Sequence, residues 1–213
     1  SEMKYPKLLN IVNALGTALC SLGLKAKHIA IMGKNSHKWC ISYFGITNGT
    51  GVVVPIDKEL MAEDVLNILT VSEAKAMFVD DKSYEKLQEI KDRLPQDFTF
   101  IGLDEIEGLK NIDELIKLGE ELLEKGDRTF IDAEVDGNAM SSLLFTSGTT
   151  GMAKGVMLSQ KNIIEDIRAI KKLVKITPDD TILSVLPLHH TYENSLCFVQ
   201  LMYTGGCYCF CEG

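Results

Sequence analysis

The chain has 213 residues, 46% hydrophobic and 24% charged, with a formal net charge of -8. That composition is ordinary for a soluble globular protein of one or two domains, long enough to bury a core without disulfides or metal. The acidic balance argues against non-specific binding to nucleic acid or anionic membrane, which needs a basic face. It leaves a small anionic ligand open, because a few backbone amides and one or two lysines can hold one.

Six cysteines are present, Cys20, Cys40, Cys197, Cys207, Cys209 and Cys211. The first four lie in or beside apolar segments, where a free thiol behaves as a small hydrophobe. No spacing resembles a secreted disulfide framework, so a reducing cytoplasm is the expected compartment. No basic, apolar, small-residue leader is visible, and Ser1-Glu2-Met3 reads as a cloning remnant. The longest apolar stretch, Leu196 to Phe210, is interrupted by Gln200, Thr204, Gly205 and Gly206 and is too short for a membrane span.

In chain order, residues 5–22 carry Leu8, Ile11, Val12, Leu15, Leu19 and Leu22 at helical spacing, with Gly23 placed to end the helix. His28 to Met32 reads as a buried strand. Ser36 is placed to cap a helix bearing Trp39, Tyr43 and Phe44. Gly51 to Pro55 reads as a β-branched strand stopped by its proline. The alternation continues with a helix over 61–72, a strand over 75–79, a helix over 83–94 and a strand over 98–103. Strands and helices in this rhythm predict an α/β fold, with parallel-rich sheets flanked by helices.

Residues 109–136 are acidic and predict one amphipathic helix, Ile112 to Lys125, read as a peripheral connector between a first α/β lobe (1–108) and a second (137–213). In the second lobe, Ser142 to Thr146 and Val156 to Leu158 read as strands around a polar loop. A helix over Gln160 to Val174, a strand over Thr181 to Leu186, a helix over 193–203 and a strand over Cys207 to Cys211 follow. No internal repeat or low-complexity tract occurs.

The loop is the informative segment: Thr146-Ser147-Gly148-Thr149-Thr150-Gly151-Met152-Ala153-Lys154-Gly155. Glycines let backbone amides approach a ligand, successive amides form an anion-binding concavity, hydroxyls add donors and Lys154 adds a mobile cation. This is chemistry for a polyphosphate. On composition alone, a polar hairpin loop with no ligand stays open. A Walker A loop does not fit, because Ala153 stands where its glycine should precede the lysine and Gly155 where its metal-binding hydroxyl should follow. No dinucleotide G-x-G-x-x-G occurs.

This string resembles the phosphate-binding signature T-S-G-T/S-T-G-x-P-K-G of the adenylate-forming enzymes, the group of acyl-CoA synthetases, luciferases and peptide-synthetase adenylation domains. It departs only at Ala153, where the family has proline. Upstream, Tyr5-Pro6-Lys7-Leu8 is similar to the family's Y-x-E-L helix start, with Lys7 in place of the acid. Asn35 and Gly51 to Pro55 fall at the family's asparagine and G-x-x-x-P strand, and read as strand and helix ends. Downstream, Leu186-Pro187-Leu188-His189-His190-Thr191-Tyr192-Glu193 resembles L-P-x-x-H. The resemblance places His190 in the acyl pocket near the substrate carboxylate and His189 in a structural role. The H-x-x-E form leans toward fatty-acyl synthetases.

What the resemblance implies is ATP-dependent activation of a carboxylic acid, a long-chain fatty acid by preference, to an acyl-adenylate, then transfer to coenzyme A with magnesium as the nucleotide's counter-ion. Thr146, Ser147, Gly148, Thr149, Thr150, Gly151 and Lys154 would hold the ATP phosphates, and His190 and Glu193 the acid. Peripheral membrane contact stays open. Members of the family are more than twice this long, and their later motifs are not found here. The chain therefore reads as a partial N-terminal domain, binding ATP weakly and not turning over alone. Two other readings stand beside this one: a non-catalytic nucleotide-binding regulatory module, and adenylation of an aromatic or amino acid. Cys207-x-Cys209-x-Cys211 would share one strand face. Zinc sites pair cysteines across turns with other ligands nearby, so buried packing is the expected role of the three.

Overall fold

The computed structural model describes residues 2–146 and 154–211. The first helix, α1 (Tyr5–Ser21), starts on a proline in its first turn, where a missing N–H costs nothing. It ends as expected at Gly23, whose φ is +77°. The Leu24 amide reaches the Leu19 carbonyl and the Gly23 amide reaches Cys20, the bond pair of a Schellman cap.

Strand β1 (His28–Met32), helix α2 (His37–Thr47), strand β2 (Val52–Ile56), helix α3 (Ala62–Val71), strand β3 (Ala76–Val79), helix α4 (Asp81–Leu87) and strand β4 (Thr99–Gly102) follow. Ser36 caps α2, its Oγ accepting from the Trp39 amide at 3.2 Å. The helix expected over 83–94 tightens to a 3₁₀ turn from Gln88 to Arg93. Helix α5 (Ile112–Glu124) opens with a capping box between Asn111 and Glu114. Strands β5 (Met140–Thr146) and β6 (Lys154–Ser159), helix α6 (Gln160–Leu173) and strand β7 (Thr181–Ser184) come next. A π-helix (Tyr192–Val199), a short helix α7 (Gln200–Thr204) and strand β8 (Cys207–Phe210) complete the described elements.

Six strands form one sheet in the order β4-β3-β1-β2-β5-β6, parallel except for β6, which returns antiparallel to β5. Strand alternation sorts its side chains onto two faces. Ile29, Ile31, Val53 and Phe78 pack under α1, α2 and α5, with Leu15, Trp39 and Ile46. Ala30, Met32, Val54, Met77 and Val79 pack under α3 and α4, with Val65, Leu69 and Leu87. A sheet covered on both faces explains the unbroken apolar strands. Strands β7 and β8 form a separate parallel pair. Phe198 ties that pair to α2, its ring 4.9 Å from Phe44 and 5.8 Å from Tyr43. Tyr5 donates to the Gly206 carbonyl at 2.6 Å, a second tie from α1.

Three expectations need correction. The acidic helix is not peripheral: Ile112 and Leu115 lie in the core, and Gly119 meets the backbone of α1. Pro55 does not stop its strand, which runs to Ile56 with Pro55 opposite Ile31, whereas the β2–β5 register holds one pair, Val53 with Ser142. The three late cysteines do not pack inward: Cys207 and Cys211 are exposed and Cys209 is half-buried. Parity is the reason, because the opposite face of β8 carries Tyr208 and Phe210 against the core.

Gln200 is fully buried, and neither amide atom has a partner among the described residues. Two desolvated polar atoms without bonds cost stability, and an apolar side chain of similar volume removes that cost. Gln200→Leu is therefore expected to hold or raise the thermal midpoint, by about 2–4 °C for about 1 kcal/mol. A clear fall would place a partner for the amide outside the described residues.

Candidate functional site

In an open parallel sheet, ligands sit beyond the carboxyl ends of the strands. Three adjacent parallel strands here end in segments of interest: β1 before Asn35, β2 before Asp57, and β5 at Thr146. Thr146 is the last residue of β5 and pairs across the antiparallel ladder with Lys154, the first of β6. Both are exposed. The hairpin thus delivers the two ends of the glycine- and hydroxyl-rich string to the carboxyl edge of the sheet. Ser147, Gly148, Thr149, Thr150 and Gly151 lie outside the described residues.

The segment Leu186 to His190 lies over the same edge. Asn35 Nδ2 donates to the Leu186 carbonyl at 2.6 Å and to Ser184 Oγ at 2.8 Å, and its Oδ1 accepts from the Leu188 amide at 3.0 Å. His189 Nε2 lies 3.6 Å from Asp57 Oδ2 at the end of β2. Burial pushes the His189 imidazole below its ordinary range, against the opposing pull of Asp57. His189 is thus a half-buried joint between the turn and the sheet. His190, its neighbour, is exposed, with Nδ1 accepting weakly from the Tyr192 amide at 3.4 Å. Among the described residues its ring lies exposed at the edge.

Glu193 departs from expectation. Its side chain is 1% exposed, and Tyr208 OH donates to its Oε1 at 2.5 Å. The same hydroxyl lies 3.0 Å from Ser184 Oγ. Burial, then the Glu193 contact, pushes the Tyr208 phenol well above its usual range. Burial and then the Glu193 charge raise the Cys197 thiol to about 11. The glutamate is committed to the interior, so it braces the start of the π-helix instead of facing a ligand. Such helices are uncommon and recur at functional sites. Asn35, Asp57, Ser184 and Tyr208 are the residues that sequence reasoning did not assign to the site. Their partners are 15 to 153 positions away, so only the position of Asn35 just after a strand gave any signal.

Among the described residues no three His, Cys, Asp or Glu side chains are grouped to hold a metal ion. Among those residues the magnesium implied by the resemblance has no such ligand set. No described helix is long and apolar enough to cross a membrane.

A doubly covered, mostly parallel sheet whose carboxyl edge receives both ends of a hydroxyl- and glycine-rich string has the layout of an α/β protein that takes its ligand beyond the strand ends. The family model for AMP-binding enzymes matches residues 1–213, and the chain belongs to that family. It is 29% identical to the human long-chain-fatty-acid–CoA ligase 1, over 93% of this chain and 31% of that protein. It is also 29% identical to a chloroplastic long-chain-fatty-acid–[acyl-carrier-protein] ligase of Arabidopsis thaliana, over 95% of this chain and 31% of that one. The chain thus spans about a third of the length of these relatives. The crystal structure of the anthranilate CoA ligase AuaEII in complex with anthranoyl-AMP superposes with a TM-score of 0.87 at 21% identity, over 99% of this chain and 40% of that one. At that identity the likeness shows the fold.

Proposed function

We propose that this chain forms the phosphate-binding part, and one wall of the acid-binding part, of an enzyme that activates a carboxylic acid with ATP and passes it to coenzyme A. The observation that carries the reading is the register of the β5–β6 hairpin, which sets Thr146 opposite Lys154 at the carboxyl edge, the edge where the turn tied to Asn35 and Asp57 exposes His190.

The chemistry divides into two displacements. A carboxylate oxygen attacks the α-phosphorus of ATP, the bond from that phosphorus to the α–β bridging oxygen breaks, and pyrophosphate leaves. The thiolate of coenzyme A then attacks the acyl carbon, and AMP leaves with both electrons of the broken C–O bond. The first step brings two anions together, so it depends on charge neutralisation and in-line placement. Lys154 and the loop donors would take the β- and γ-phosphates and the departing pyrophosphate. His190 would line the path of the acid, and Glu193, held by Tyr208, would fix the helix that follows.

The names of the long-chain relatives support a long acyl chain as the substrate, with the H-x-x-E form of the turn. The cysteine pattern, without a disulfide framework, supports a reducing cytoplasm as the compartment. The test is acid-dependent ATP–pyrophosphate exchange by this chain and by the full-length gene product, with acids from acetate to palmitate, plus aromatic and amino acids. The expected result is exchange by the full-length protein alone, fastest with long-chain acids. Fastest exchange with an aromatic or amino acid would replace the substrate. No exchange with any acid would leave a nucleotide-binding regulatory module.

A further inference from the structure

Asn35 is the residue that joins the six-stranded sheet to the His190 turn. A strand-end or cap role would give its side chain local bonds, but the cap of α2 is Ser36, and among the described residues the Asn35 side-chain bonds run to the far segment. The pattern of those bonds is specific. A primary amide offers donors and an acceptor from one plane, as a peptide group does. Asn35 uses both, donating to the Leu186 carbonyl and accepting from the Leu188 amide, and so brackets Pro187. Pro187 has no N–H of its own to anchor the chain. The third bond, to Ser184 Oγ, reaches the hydroxyl that Tyr208 also contacts, and Tyr208 holds Glu193. One side chain therefore grips the segment before His190, and through Tyr208 is linked to the glutamate after it. The turn closes directly on this grip, since the His190 amide bonds to the Pro187 carbonyl at 3.0 Å.

We infer that Asn35 is a positioning residue for the acid-binding edge: it fixes the path of Leu186 to Leu188 and thereby the place of His190. Its kinetic consequence rests on the proposed function, whereas its geometric consequence does not. Displacing a positioning element by about 1 Å can cost up to about a hundredfold in turnover. Because the described bonds of Asn35 run to the acid side of the site, the loss is expected to fall on the acid.

Two variants of the full-length protein test this, Asn35→Ala and Asn35→Asp. In Asn35→Ala, KM for the acid rises about tenfold or more, while KM for ATP stays within about twofold. Hydrogen exchange of Leu188, His189 and His190 amides accelerates, with β1 and β3 unchanged. In Asn35→Asp at neutral pH, the substituted carboxylate still accepts from Leu188 but has no donor for the Leu186 carbonyl. Protonating it restores one donor, so acid KM moves back toward wild type as pH falls, a recovery that Asn35→Ala lacks. Unchanged exchange of the 188–190 amides overturns the inference, as does a parallel rise in both KM values. If the wild type activates no acid at all, the proposed function falls, and the hydrogen-exchange arm alone decides whether Asn35 positions the turn.

Discussion

In the full-length protein, Lys154→Ala is expected to lower acid-dependent ATP–pyrophosphate exchange by about 10²–10³-fold, the usual loss when one preorganised donor at developing charge is removed. Lys154 opens β6 opposite Thr146, so its backbone is fixed by the ladder while its side chain remains exposed at the edge. A lysine anchored in this way brings a positive charge to the phosphates without ordering a long loop at the moment of reaction. The effect should fall mainly on the rate with saturating acid and on the affinity for ATP. Since the side chain is exposed, the thermal midpoint should stay put, which separates a chemical loss from an unfolding one. Exchange within about threefold of wild type would remove Lys154 from the site, because one lost charge-assisted contact alone costs more than that.

Gly119→Ala gives the second large effect, this time on stability. Helix propensity predicts a gain of about 1 kcal/mol from the added methyl. Packing predicts the opposite. A methyl on Gly119 would lie 1.8 Å from the Ala14 carbonyl oxygen of α1. That neighbour is backbone and cannot rotate aside, so the two helices must separate and expose the stripe that includes Ile112 and Leu115. A cost of about 3 kcal/mol is expected, at the upper end of over-packing, lowering the midpoint by about 6–12 °C. Gly137→Ala is the control, since its methyl would meet nothing within 4 Å, and a shift within about 2 °C is expected there. If Gly119→Ala melts within that same margin, α5 does not depend on close contact with α1.

These two residues also mark what a sequence does and does not disclose. The phosphate string is legible because its chemistry is local: glycines, hydroxyls and one lysine in ten consecutive positions. The early strands and helices are legible because burial on both sheet faces writes a strong pattern. Helix α5 is legible as a helix but not as a core element, because its acidic face dominates its composition while a glycine, silent in hydropathy, makes the contact with α1. The late cysteine strand shows the right alternation but not which face turns inward; Tyr208 and Phe210 decide that. The π-helix differs from an α-helix by one position in its bonding, which an eight-residue apolar pattern cannot register. Asn35, Asp57 and Tyr208 enter the site only through long-range contacts, and no spacing along the chain encodes those.

Pro55 has a mechanical consequence. It places a residue with no N–H in an interior strand, and β2 meets β5 through a single register pair while meeting β1 through five. The sheet is therefore stitched unevenly: firmly among β4, β3, β1 and β2, and lightly at the seam before the β5–β6 hairpin. A load across the sheet would find that seam first. The element that carries the phosphate string is thus held to the four-stranded plate more by side-chain packing than by ladder bonds.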